Sequence, residues 1–111
     1  MNDADLLSEV SLFSLMKPRD LRRLAKTAVR HRYEKGDIII REGARDGRLF
    51  IVVTGEVEVI KNLGHESERS LRRLGPHAYF GEMALIDDYV RTASVVAGTK
   101  TEVRCLDQWN I

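Results

Sequence analysis

The run Leu49-Phe50-Ile51-Val52-Val53, broken by Gly55 and followed by Glu56-Val57-Glu58-Val59, constrains the fold more than any other part of the chain. A short apolar segment rich in β-branched residues reads as a strand buried on both faces, because a buried helix needs roughly 10–12 residues. Glycine interrupts it. The polar–apolar alternation beyond Gly55 then describes a strand with one wet face.

The same grammar continues on either side. Gly36-Asp37 marks a turn before Ile38-Ile39-Ile40, and the stretch from Gly43 to Gly47 reads as a loop. Asn62 to Ser67 is polar, contains Gly64 and is expected to be a hairpin loop. Further strands are expected around Ser70 to Leu74, Ala93 to Ala97 and Thr101 to Leu106. Many short strands at close spacing, after an N-terminal helical segment, point to a mainly β fold, a small β-barrel or jelly roll.

Residues 3 to 30 read as helical instead. Leu6, Leu7 and Val10, then Leu12, Phe13, Leu15 and Met16, form apolar clusters around a short helix and a turn. Pro18 suits the first turn of a second helix, where a missing N–H costs nothing. There Leu21, Leu24, Ala25 and Ala28 recur at helical spacing as one buried stripe. Arg19, Arg22, Arg23, Lys26 and Arg30 fall on the remaining surface and read as its solvated face. The expectation is one domain of 111 residues, with a helical segment over 1–32 and a barrel over 33–106.

Composition removes several classes of function. A net charge of +1 argues against holding nucleic acid by bulk electrostatics. The single cysteine, Cys105, cannot form an internal disulfide and reads as a buried core thiol. Met1-Asn2-Asp3-Ala4-Asp5 lacks the features of a secretory leader, and no apolar stretch approaches the roughly 18–20 residues of a membrane helix. A cytoplasmic protein is expected. His31, His65 and His77 are scattered without metal spacing, and Ser8, Ser11 and Ser14 precede no nucleophile elbow. Asp87-Asp88 reads as a loop tip rather than a metal site, so neither an enzyme nor a cofactor is indicated.

What chemistry remains is concentrated in Phe80-Gly81-Glu82-Met83-Ala84-Leu85 and the following Arg91-Thr92-Ala93-Ser94. One carboxylate and one guanidinium sit among small residues that let a ligand approach the backbone closely. A guanidinium cannot lose its proton and offers a fork to phosphate; a short helical turn over Met83–Ile86 would add N–H donors. The set suits a ligand carrying both a hydroxyl and a phosphate. By residue type alone, Glu82 and Arg91 also read as a structural surface pair, which is the commoner case.

The stretch from Phe80 to Ala97 resembles the phosphate-binding cassette of cyclic-nucleotide-binding domains, found in kinase regulatory subunits, cyclic-nucleotide-gated channels and catabolite-activator-type regulators. Gly36 to Gly43 and Leu49 to Val57 are similar to the early barrel strands of that family, and Leu6 to Phe13 to its N-terminal helix. The resemblance implies a ligand site at Phe80, Gly81, Glu82, Met83, Ala84, Arg91, Thr92 and Ala93. It gives Glu82 the ribose 2′-hydroxyl and Arg91 the cyclic phosphate. The rings of Tyr79 and Phe80 read as core rather than base-stacking groups. Two departures stand out: Val90 replaces a frequent proline, and Gly75-Pro76-His77 replaces Gly-Pro-Gly. Neither removes a ligand-contacting group.

Thr92 leans toward cGMP in such domains, yet cAMP-responsive members share a hydroxyl there, and cAMP is the favoured ligand. The resemblance further implies a regulatory sensor that signals by moving flanking helices, acts on an effector or partner protein outside this chain, and is compatible with a homodimer. Residues 107–111 read as the start of a hinge or lid helix, with Asp107 as N-cap and Trp109 packed near the hinge. The competing expectation is a degenerate barrel that serves as a protein–protein scaffold and binds no nucleotide.

Overall fold

In the computed structural model, residues 2–45, 47–81 and 90–106 are described. The chain opens with helix α1 (Asp3–Ser8), whose N-terminus is capped by the Asn2 side chain accepting from the Asp5 N–H at 2.8 Å. Asp3 and Asp5 in its first turn suit the positive end of the helix dipole. A 3₁₀ turn (Ser11–Phe13) leads to α2 (Pro18–Ala25), which starts on proline as expected and carries Arg22 and Arg23 in its last turn.

Among the described residues eight strands follow: β1 (Val29–Tyr33), β2 (Ile38–Ile40), β3 (Leu49–Thr54), β4 (Val57–Lys61), β5 (Arg69–Leu74), β6 (Tyr79–Phe80), β7 (Ser94–Ala97) and β8 (Thr101–Leu106). They form two antiparallel four-stranded sheets, ordered β1-β8-β3-β6 and β2-β7-β4-β5. The expected jelly roll is present as a sandwich of two sheets rather than a closed cylinder.

β3 is buried on both faces, as its sequence demands. Phe50 and Val52 join Val57, Phe80, Val95, Ala97, Val103 and Cys105 between the sheets. Leu49 and Ile51 point the other way, into a second core with Leu6, Leu7, Val10, Phe13, Leu21 and Leu106. The N-terminal helices therefore cover the outer face of the β3–β8 pair. Each such side chain stabilises the fold by about 1.5–3 kcal/mol on burial. At the end of β3, Gly55 has φ +89°, and a Cβ there would lie 2.4 Å from the Lys100 carbonyl oxygen, so only glycine fits.

A polar clamp holds α1 to β8. Arg104 Nε donates to Asp3 Oδ1 at 2.9 Å, and its Nη1 donates to Glu102 Oε2 at 2.9 Å. Burial works against the Arg104 charge, but these two carboxylates outweigh it and raise its pKa above the ordinary value.

Two sequence expectations need correction. The helical segment does not reach residue 30 or 32, because β1 already begins at Val29 and pairs along β8. β1 alternates between exposed and half-buried residues, so it has no apolar stripe to announce it. The strand β6, short and set against β3, was not expected as a separate element; Phe80 enters it to stack on Phe50 with ring centroids 5.0 Å apart. The expected cassette helix and the expected hinge over 107–111 lie outside the described residues.

Candidate functional site

Arg91 is only 7% exposed. A guanidinium stays charged at any relevant pH, and burying it is costly unless polar groups surround it. Its Nη1 donates to the Gly81 carbonyl at 2.9 Å and its Nη2 to the Arg48 carbonyl at 2.7 Å. Both acceptors are backbone carbonyls, so these bonds orient the fork.

The backbone beneath the side chain is equally fixed. The Arg91 N–H donates to the Ala44 carbonyl and the Arg91 carbonyl accepts from the Gly43 N–H, each at 2.8 Å. Arg45 and Val90 form a β-bridge beside them. The segment leading into β7 is thereby stitched to the loop that leaves β2. Gly81 meets it from the end of β6 with φ +93°. A Cβ at Gly81 would come within 2.6 Å of the Arg48 carbonyl oxygen and 3.0 Å of Arg91 Nη1, so the close approach demands glycine.

A second set of bonds reaches the segment from its other side. Glu42 Oε2 accepts from Lys61 Nζ at 3.0 Å, and Glu42 Oε1 accepts from the Asn62 N–H at 2.9 Å. Lys61 Nζ also donates to the Thr92 carbonyl at 2.8 Å. The Glu42 N–H donates to Ser94 Oγ at 2.9 Å. The Asn62 backbone N–H, then the Lys61 ammonium, hold the Glu42 carboxyl below its ordinary pKa.

Of the residues expected at the site, the structure brings Gly81 and Arg91 into contact and places Thr92 and Ala93 directly after the arginine. Thr92 is exposed, Ala93 half-buried, and among the described residues the Thr92 hydroxyl makes no hydrogen bond. Phe80 is buried in the core between the sheets, as its ring was read. Glu82, Met83 and Ala84 lie outside the described residues, as do Asp87 and Asp88. Among the described residues no group of histidine, cysteine, aspartate and glutamate is placed to hold a metal ion. No helix among them is long and apolar enough to cross a membrane.

Sequence reasoning did not reach Arg48, Gly43, Ala44, Glu42 or Lys61 as neighbours of Arg91. Arg48, Gly43 and Ala44 contribute backbone atoms, which leave no residue-type signal. Glu42 and Lys61 are distant in sequence and meet only through the strand order β2-β7-β4. A groove of about 320 Å³ lined by Glu9, Arg72, His77 and Tyr79 shares no lining residue with this site.

Residues 30–110 match the family model described as the cyclic nucleotide-binding domain. The cGMP-dependent protein kinase of Plasmodium berghei is 38% identical over 104 residues, covering 94% of this chain and 11% of that protein. The human cGMP-dependent protein kinase 2 is 36% identical over 103 residues, covering 92% of this chain and 13% of that protein. The chain thus spans about a tenth of the length of these curated relatives. Among solved structures, the regulatory domain of Toxoplasma gondii PKA with cAMP superposes with a TM-score of 0.87 at 25% identity, over 95% of this chain and 41% of that one. A cyclic nucleotide-binding-like protein from Brucella abortus gives a TM-score of 0.82 at 36% identity, over 95% and 90% of the two chains.

Proposed function

The chain belongs to the cyclic nucleotide-binding domain family, and on that footing we propose that it is a sensor module whose ligand is a cyclic mononucleotide, cAMP first. The observation that carries this reading is the buried, doubly anchored guanidinium of Arg91, held between the end of β6 and the start of β7. A fork fixed in advance loses little freedom when a phosphate arrives, which is what makes an arginine effective in anion binding. In this reading Arg91 binds the cyclic phosphate. Glu82 accepts from the ribose 2′-hydroxyl, and the backbone of Gly81, Met83, Ala84, Thr92 and Ala93 lets the sugar-phosphate come close.

The Toxoplasma regulatory domain solved with cAMP supports adenine. A second reading, cGMP, is favoured by the exposed Thr92 and by the names of the cGMP-dependent protein kinases to which the chain is similar. Signalling follows by population shift: ligand stabilises one arrangement of the segment between Gly81 and Arg91, and flanking helices move with it to act on an effector in the cytoplasm. The domain is regulatory rather than catalytic; any kinase activity would reside elsewhere in a longer protein.

Calorimetric titration with cAMP, cGMP and 2′-deoxy-cAMP, carried to millimolar ligand, tests this reading. Saturable binding of a ribonucleotide, weakened for the deoxy analogue, supports it, and the ratio of the two affinities identifies the base. No binding by either cyclic ribonucleotide would turn the reading to a barrel used as a protein–protein scaffold.

A further inference from the structure

We propose that Lys61 and Glu42 are positioning residues for the ligand site, forming a strap across the chain segment that carries Arg91. The proposal rests on the cyclic-nucleotide reading above and deepens it. In the sheet order β2-β7-β4, β7 is flanked on both sides. The residues just before it, Arg91 to Ala93, run between the end of β2 and the end of β4, where Ile60 lies opposite Ser94.

On the β2 side the Gly43 N–H and the Ala44 carbonyl bind the Arg91 backbone. On the β4 side the Lys61 ammonium donates to the Thr92 carbonyl at 2.8 Å. The ammonium is itself held by Glu42 Oε2 at 3.0 Å, and Glu42 is held by the Asn62 N–H and by its own N–H on Ser94 Oγ. A carboxylate from beyond β2 and an ammonium from β4 therefore meet over the Thr92–Ala93 peptide, the second peptide after Arg91. Neither charge is a core group: the side chains of Lys61 and Glu42 are 35% and 29% exposed. An exposed ion pair alone would contribute little. Its effect here comes from the third partner, the Thr92 carbonyl, because fixing that carbonyl fixes the Thr92–Ala93 peptide and so the direction in which the backbone leaves Arg91 and Thr92. Small displacements of positioning groups are costly in a site built on preorganised geometry.

The test uses Lys61→Met, Lys61→Arg and Glu42→Gln, with Lys26→Met as an exposed charge-loss control, each titrated with cAMP and cGMP and checked by thermal unfolding. Lys61→Met is expected to weaken both nucleotides by about tenfold, the scale of one lost charge-assisted hydrogen bond. Lys61→Arg, which can still reach both acceptors, restores affinity to within about threefold. Glu42→Gln keeps the shape of the strap and falls between the two, while Lys26→Met binds like wild type. Lys61→Met that binds as tightly as wild type, or Lys61→Arg no better than Lys61→Met, overturns the positioning role. Wild-type protein that binds neither nucleotide refutes the ligand reading itself, and the strap's role with it. If Lys61→Met unfolds, Glu42→Gln and Lys61→Arg still decide between these outcomes.

Discussion

Replacing Gly81 by alanine should cost far more than the addition of one methyl group suggests. Two effects add at this position. The backbone φ of +93° lies where an L side chain is strained by about 1 kcal/mol or more. The new Cβ would also stand 2.6 Å from the Arg48 carbonyl oxygen and 3.0 Å from Arg91 Nη1. The nearest clashing atom is backbone, so the end of β6 or the loop before β3 must shift; overpacking of this kind costs about 1–3 kcal/mol. The sum is about 2–4 kcal/mol. Gly64→Ala isolates the first effect, since Gly64 has φ +85° and nothing within 4 Å of its would-be Cβ. Urea unfolding of both variants should therefore show a loss of about 1 kcal/mol for Gly64→Ala and about 1–3 kcal/mol more for Gly81→Ala. Nucleotide affinity should fall only in Gly81→Ala, because only there is the guanidinium displaced. Equal losses of stability in the two variants would refute the claim that Gly81 is held against Arg91 and Arg48.

Acid should weaken the fold through Glu42 and Glu102. The Asn62 N–H chiefly lowers the first carboxyl and the Arg104 hydrogen bond the second, both from an ordinary value of 4.5. A depressed folded pKa means stability that is present above the unfolded value and is lost as pH falls through the folded one. Urea unfolding free energies should decline as pH falls below the ordinary carboxylate value of 4.5, and Glu42→Gln with Glu102→Gln should flatten that slope. Asp3→Asn should weaken the docking of α1 on β8 by about 1 kcal/mol, since it removes the charge from the 2.9 Å Arg104 contact at a partly exposed site. Hydrogen exchange at Leu6 and Leu7 should then quicken, while exchange in β4 stays as in wild type.

Most of the framework was legible because its signals are local. The run Leu49–Val53 is apolar on both faces, and β3 is covered by the second sheet on one side and the N-terminal helices on the other. Gly55 ends that strand where the sequence breaks, and Pro18 opens α2. Cys105 is the buried thiol expected of it. Strand β1 was not legible, because Arg30 and Arg32 owe their place to Glu102 on β8, a partner far along the chain. At the site, Gly81 and Arg91 could be found from residue type and order. The groups that orient them could not: the carbonyls of Gly81, Arg48 and Ala44 are common to every residue, and the Glu42–Lys61 strap exists only once β7 lies between β2 and β4.

The most direct test of the proposed function compares wild-type protein with Arg91→Lys by titration with cAMP and with cGMP, folding of the variant being verified by circular dichroism. Lysine keeps the positive charge but loses the planar fork that Gly81 and Arg48 hold in place. The expected result is saturable binding by wild type and affinity at least about 100-fold weaker in the variant, the scale of two charge-assisted hydrogen bonds. A folded Arg91→Lys protein that binds either nucleotide as tightly as wild type would contradict the assignment of Arg91 to the phosphate.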